Sequence, residues 1–250
     1  MDYKVFGLII TLILGMFILI GSVISFVSNS KEKYVDFSIS LAFAVIIMLI
    51  LIDLLPEVAD AFGIKSIYLF IIFGVVGYLV LDILDDFIPD HEDAKMTKKE
   101  QKDNLVHIGV LSSIALIIHN IIEGMAIYSA GLVNTSTALA TMIGVGAHNI
   151  PLGMVITSTL YQTNRSKKKT LIIILALSFS TFLGGLIMYA LNVTALSEVL
   201  IGVLLSVTVG MLIYILVNEL YPRVKTKKNR QIKTYGVALG IIIMLISALF

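Results

Sequence analysis

The stretch "HNIIEGMAI" occupies His119–Ile127, and "HNIPLGMVI" occupies His148–Ile156. Six of their nine aligned positions are identical: His, Asn, Ile, Gly, Met and Ile. Each opens with a polar dyad deep inside an apolar run. Such groups cost free energy in an apolar medium unless they are paired or face a cavity. A dyad that appears twice, on consecutive apolar runs, is therefore placed for a reason that one helix alone cannot supply.

The surroundings of these runs set the fold class. The chain has 250 residues, of which 58% are hydrophobic and 14% charged. Its mean hydropathy is +1.00. A soluble domain carries about a quarter charged residues. Here the apolar excess comes in long runs, as it does in a polytopic membrane protein. A spanning helix needs about 20 mostly apolar residues. Eight segments qualify: Val5–Val27, Asp36–Val58, Ile67–Phe87, Leu105–Tyr128, Thr137–Tyr161, Leu171–Asn192, Val199–Tyr221 and Tyr235–Phe250. The prediction is an all-α polytopic membrane protein with eight transmembrane helices. They form a single domain over residues 1–250, and the longest loop is cytoplasmic at about 89–104. The first run is too long for the apolar region of a signal peptide, and no small-x-small cleavage site follows it.

Basic residues in the connections give the orientation. Sixteen of the 18 Lys and Arg fall in the loops after spans one, three, five and seven. Only Lys4 and Lys65 fall on the other side. Cytoplasmic loops carry the Lys/Arg excess. Both termini are therefore expected outside, with the chain in the plasma membrane.

The net charge of +1 offers no footprint for nucleic acid. There is no cysteine, which excludes disulfides and thiolate metal sites. Any metal site must use imidazole, carboxylate, amide or thioether. The cluster Asp90-His91-Glu92-Asp93 in the long loop reads as a solvated linker of mixed charge, the alternative being a weak gathering point for metal ions at a pore mouth.

Ionisable residues inside the spans are the candidates for function. His119 and Glu123 are spaced i, i+4, so a helix stacks them on one face, one turn apart. Asn120 adds an amide oxygen at the edge of that face, and His148 with Asn149 brings a second dyad from the next helix. Imidazole with carboxylate suits a divalent cation such as zinc, iron(II), manganese or cobalt. The alternative is a buried His–Glu hydrogen bond that only joins two helices. Asp53, Glu57 and Glu219 are further in-span acids and mark a possible pathway. Gly124, Gly144, Gly146 and Gly153 read as close-packing positions, and Met125 and Met154 as filler.

Spans four and five run in opposite directions, so the repeated motif implies a pseudo-two-fold axis in the membrane plane. "DLLP" (Asp53–Pro56) and "ELYP" (Glu219–Pro222) echo this on spans two and seven, also antiparallel. Inverted repeats around a midplane site are typical of secondary transporters.

These residues resemble the ZIP family of divalent metal transporters. "HNIIEG" (His119–Gly124) is similar to the family's fourth-span His-Asn-x-Pro-Glu-Gly, and "HNIPLG" (His148–Gly153) to its fifth-span counterpart. "DLLPE" (Asp53–Glu57) and "NELYP" (Asn218–Pro222) resemble the second- and seventh-span segments. The resemblance implies a 3+2+3 arrangement, with spans four and five between two inverted three-helix repeats. It implies uptake of a divalent metal, zinc foremost, toward the cytoplasm as transported substrate, with no prosthetic group. It implies that His119, Asn120 and Glu123, with His148 and Asn149, bind the metal, and that the protein is a homodimer in the lipid bilayer. The sequence departs from the pattern at Leu152, where the fifth span normally carries Glu, at Ile122 in place of Pro, and at Asp53 in place of His. The sixth span offers "TFLG" (Thr181–Gly184), without the acid of the bacterial Glu-Pro-x-Gly. A single weakened site is the expectation. Two other readings stand beside it: an intramembrane metal-dependent hydrolase, and a sensing or structural relative impaired in transport.

Overall fold

The structure is a computed structural model that describes residues 2–28, 32–63, 67–87, 98–162 and 167–250. The Asp90–Asp93 cluster lies outside the described residues. Eight helices among those described are long and apolar enough to cross a membrane. They are α1 (Tyr3–Val27), α2 (Glu32–Phe62), α3 (Ile67–Asp85), α4 (Lys98–Val133), α5 (Thr135–Gln162), α6 (Lys167–Ala190), α7 (Glu198–Val224) and α8 (Arg230–Ser247). The expected spans are all present, and most extend beyond their apolar stretch. The last begins at Arg230 rather than Tyr235, because polar residues continue a helix wherever they still reach water.

Caps fix several ends. The Asp2 side chain accepts from the backbone N–H of Lys4, and Ser197 accepts from that of Leu200. Asn134 alone separates α4 from α5, and its Oδ1 accepts from the N–H groups of Ser136 and Thr137 at 2.8 and 3.2 Å. Satisfying those free donors starts α5 without a loop. The helices bearing the two dyads are therefore antiparallel neighbours joined at a tight corner.

Packing is by backbone approach. Lipid tails are as apolar as leucine, so helices associate through close contact rather than exclusion of water. A Cβ at Gly124 would lie 1.9 Å from the Thr181 carbonyl oxygen, and one at Gly184 would lie 2.0 Å from that of Ile121. The same exchange joins α1 to α5: Gly21 meets Ile150 O and Gly153 meets Ile18 O, at 2.0 and 2.2 Å. Gly77 and Gly210 do likewise for α3 and α7. Thus the glycine of each dyad motif seats its helix on a different neighbour, α4 on α6 and α5 on α1. Gly144 and Gly146 also face neighbours, at Ser247 and Phe17. Gly124→Ala is expected to lower the thermal unfolding midpoint in detergent by several degrees, since overpacking costs about 1–3 kcal/mol. Gly74→Ala should be nearly neutral, because a Cβ there meets only Ser206 O at 3.7 Å.

The helices at the outside of the bundle carry exposed apolar residues such as Ile71, Ile72 and Val75 on α3. Lipid is the solvent that such a surface fits. Serine hydroxyls tie the inner helices across: Ser178 donates to Gly15 O at 2.7 Å, and Ser25 to Met154 O at 2.9 Å. Ser180 instead donates within its own helix, to Leu177 O. Polar connections gather by side. Lys4 Nζ donates to Asn192 Oδ1 at 2.6 Å, while Lys228 pairs with Glu32 and Asn229 donates to Asp36. The Glu32 carboxylate holds the exposed Lys228 ammonium above its ordinary value.

Two helices are interrupted. Residues Ile50–Leu54 of α2 and Ile215–Leu220 of α7 form π turns, each just ahead of a proline. In each, an N–H reaches five residues back: Leu55 to Ile50 O, and Tyr221 to Leu216 O. Proline has no N–H and its ring crowds the carbonyl four residues back, which favours such widening. The two acid-x-x-Pro segments therefore share one local structure.

Candidate metal centre

α4 carries His119, Asn120 and Glu123 on consecutive turns, and α5 brings His148 and Asn149 against them. Glu123 is the centre. Its Oε1 lies 3.3 Å from His148 Nε2 and 3.6 Å from His119 Nε2. Its Oε2 accepts from Asn149 Nδ2 at 3.1 Å. One ligand atom from each of His119, Glu123 and His148 fits within a 4.8 Å span. Tetrahedral zinc with bonds near 2.1 Å holds its donors about 3.4 Å apart. The two separations from Glu123 match that spacing.

Burial strengthens the reading. His119, Asn120, His148 and Asn149 are all buried. Asn120 Oδ1 and Asn149 Oδ1 have no hydrogen-bond partner among the described residues. Buried acceptors left unpaired are uncommon and costly. A cation in contact with them would satisfy both. The amide of Asn120 is otherwise engaged: its Nδ2 donates to Leu177 O on α6 at 3.2 Å, which turns its oxygen away from that helix.

Asp53 sits in the π turn of α2 and interacts electrostatically with His148, Glu123 and His119. Glu57, one turn on and exposed, interacts with Asp53, His119 and Glu123. Asp53 is not among the three residues of the compact cluster. Glu219 does not belong to this centre either. It joins Asp85 and His107 in a second group of possible ligands. His107 Nε2 pairs with Asp85 and lies 3.5 Å from Glu219 Oε1, while the Tyr214 hydroxyl donates to Asp85 Oδ2 at 2.6 Å. His107 is 12 residues before His119 on α4, about 18 Å along the helix axis at 1.5 Å per residue. Sequence reasoning missed His107. Its signal was weak, being one imidazole near the end of a span, whose partners come from two distant helices.

The fold and the centre define a polytopic helical membrane protein with paired imidazoles and a carboxylate buried between two antiparallel spans. A profile of the ZIP zinc transporter family matches residues 85–248, so the chain belongs to that family. It is 29% identical over 252 residues to the zinc transporter ZupT of Streptococcus mutans, covering 96% of each chain. It is 25% identical to the zinc transporter ZupT of Chlorobaculum parvum, covering 99% of this chain and 98% of that one. The zinc transporter ZupT of Clostridium perfringens is likewise 25% identical, with 100% and 97% covered. The family is one of transporters, not enzymes, and the hydrolase reading falls with that.

Proposed function

We propose that this protein carries a divalent transition-metal ion, zinc foremost, across the membrane toward the cytoplasm, through His119, Asn120, Glu123, His148 and Asn149. The observation that carries the reading is the convergence of His119, Glu123 and His148 on one point between α4 and α5. The relatives named as zinc transporters support the choice of zinc. The ion would pass Asp53 and Glu57 on one side of the centre. On the other it would pass Asp85, His107 and Glu219, which supply imidazole and two carboxylates. The matched glycine exchanges of α1–α5 and α4–α6, with the two π turns, support inverted repeats flanking α4 and α5. Membership of the family also supports a homodimer in the plasma membrane, testable by mass measurement in detergent.

Zinc uptake into proteoliposomes tests the transport reading directly. Uptake above protein-free vesicles is expected. Its absence, with zinc still bound, would favour a sensing relative.

Orientation has its own test. Ser136→Cys and Thr194→Cys lie at exposed positions at one end of the bundle, and Lys168→Cys and Lys227→Cys at the other. The first pair is expected to react with an impermeant thiol reagent on intact cells, and the second only after permeabilisation. The chain has no cysteine of its own, so each label reports a single site. Reaction of Lys227→Cys on intact cells would reverse the assigned direction.

A further inference from the structure

A cleft of about 450 Å³ opens where α7 ends and α8 begins, at the end of the bundle assigned to the cytoplasm. Its wall carries Lys225, Lys227, Arg230 and Lys233, and no acid lines it among the described residues. Lys225, Lys227 and Arg230 are exposed and have no ion pair among those residues. Lys225 lies over the Tyr221 ring at 5.3 Å, a contact that leaves its net charge in place. Glu32 and Asp36 reach the same loop from α2, but Lys228 and Asn229 engage them.

Lys233 is the unusual member of the set, since it is only 4% exposed. Its Nζ donates to Arg223 O at 2.7 Å and to the carbonyl and hydroxyl oxygens of Thr226. All three acceptors are neutral. Asp36 acts on the ammonium electrostatically, yet no carboxylate touches it among the described residues. A buried charge is costly unless a counter-charge stands close by. The same bonds tie the end of α7 to the first turn of α8, which holds the loop bearing Lys225 and Lys227. The cleft is thus a fixed concavity with surplus positive charge, and its volume falls in the range of about 300–1,000 Å³ usual for small-ligand sites.

The α8 wall continues beyond the charges. Arg230, Thr234, Val237, Ile241 and Leu245 follow at intervals of three and four, along one helix face. Ile241 and Leu245 are exposed. This face therefore turns from cationic to apolar with distance from the loop. Tyr221 and Tyr235 are exposed near the change, the level that aromatic side chains take at a membrane–water interface. A ligand that meets cations first and an apolar stripe next is an amphiphile with an anionic head.

We infer that the cleft binds the phosphate headgroup of an anionic phospholipid from the cytoplasmic leaflet, with an acyl chain along Val237, Ile241 and Leu245. Lys225, Lys227 and Arg230 supply charge-assisted hydrogen bonds to the phosphate oxygens. The hydroxyls of Thr226 and Thr234 do not, because they donate to Arg223 O and Arg230 O at 3.0 Å each. The anion also gives the buried Lys233 the counter-charge that its own contacts lack. Basic pockets on the cytoplasmic side of a membrane hold such headgroups by this chemistry. A free phosphate shares the polar contacts but makes no use of the apolar stripe. The inference stands apart from the transport reading.

Native mass spectrometry of the full chain in detergent tests it, with added phosphatidylglycerol or phosphatidylcholine of the same acyl chains. Phosphatidylglycerol is expected to bind at a several-fold lower concentration, and to raise the unfolding midpoint where phosphatidylcholine does not. Lys227→Ala combined with Arg230→Ala should remove that preference. Lys168→Ala combined with Lys169→Ala takes the same charge from exposed positions at the start of α6, and should keep it. Phosphatidylglycerol with a photoreactive group in its chain should label residues 237–245 of α8, which locates the lipid without any substitution. Equal binding of the two lipids would overturn the inference, as would a preference lost equally in both double variants, or labelling without enrichment on α8. Inorganic phosphate in large excess is expected to leave the lipid bound. If phosphate alone displaces it and raises the midpoint as much, the cleft takes a soluble anion and the lipid assignment fails.

Discussion

Glu123→Ala is expected to cut zinc uptake by roughly 100-fold or more, the upper end of what losing even an outer partner of a metal ligand costs. Glu123 is the one anion that touches both imidazoles, through the same oxygen. Without it a divalent ion would meet four neutral donors in a low-dielectric interior, and its charge would stay uncompensated. Alanine also removes the acceptor for Asn149 Nδ2. A buried donor left unpaired costs about 1–3 kcal/mol, so part of any loss would come from folding. Glu123→Gln separates the two effects. Its amide oxygen still accepts from Asn149, while its amide nitrogen replaces the negative oxygen that faces the two imidazoles and can donate to one of them. Uptake should therefore collapse in both variants, while the unfolding midpoint of Glu123→Gln stays close to wild type. Wild-type uptake by a folded Glu123→Gln protein would mean that the dyads only join α4 to α5.

Much of this was legible in the sequence, for identifiable reasons. Each span is a local property, readable from about twenty neighbouring residues. The i, i+4 pair His119–Glu123 is equally local. The second dyad was recognisable because it repeats the first. The membership of Asp85, His107 and Glu219 in one group was not legible, since three helices contribute one residue each. Nor was the partner that orients Asn120, a carbonyl 57 residues away. The π turns left no periodic signature, and only the prolines after them hinted at irregularity. The glycines read correctly as packing positions, but which backbone each one meets depends on the neighbour. The partners of the α6 hydroxyls were not legible for the same cause: Ser178 bonds across to α1, Ser180 bonds within α6, and Thr181 Oγ1 is buried without a hydrogen-bond partner among the described residues.

Charge links these observations. Where the family pattern has a fifth-span acid, this chain has Leu152, which is buried in the main apolar core. The central cluster keeps one carboxylate, and Asp53 on α2 stands close enough to act on it electrically. The second group has two carboxylates for one imidazole. On the inward route proposed above, the ion would pass from a weakly charged centre toward a more anionic group. Such a gradient favours release from the centre over tight holding there.

Leu152→Glu tests that balance. α5 runs unbroken through Pro151, so residue 152 lies one turn from His148, as Glu123 does from His119. A carboxylate there would add the second anion that the centre lacks. Affinity should rise tenfold or more if the new ligand gains about 1.4 kcal/mol of net interaction. The half-saturating zinc concentration should fall, and maximal flux should fall with it, because the ion leaves more slowly. The metal-free variant should be less stable than wild type, since an acid replaces leucine in an apolar core. Zinc binds the folded state, so it should raise the unfolding midpoint of Leu152→Glu by more than that of wild type. Titration calorimetry measures the affinity, thermal unfolding with and without zinc measures the linkage, and uptake kinetics measure the flux. A folded Leu152→Glu protein with unchanged affinity and an unchanged zinc shift would place residue 152 away from the ion. The low charge of the centre would then have to be made up elsewhere, with Asp53 the nearest acid able to do so.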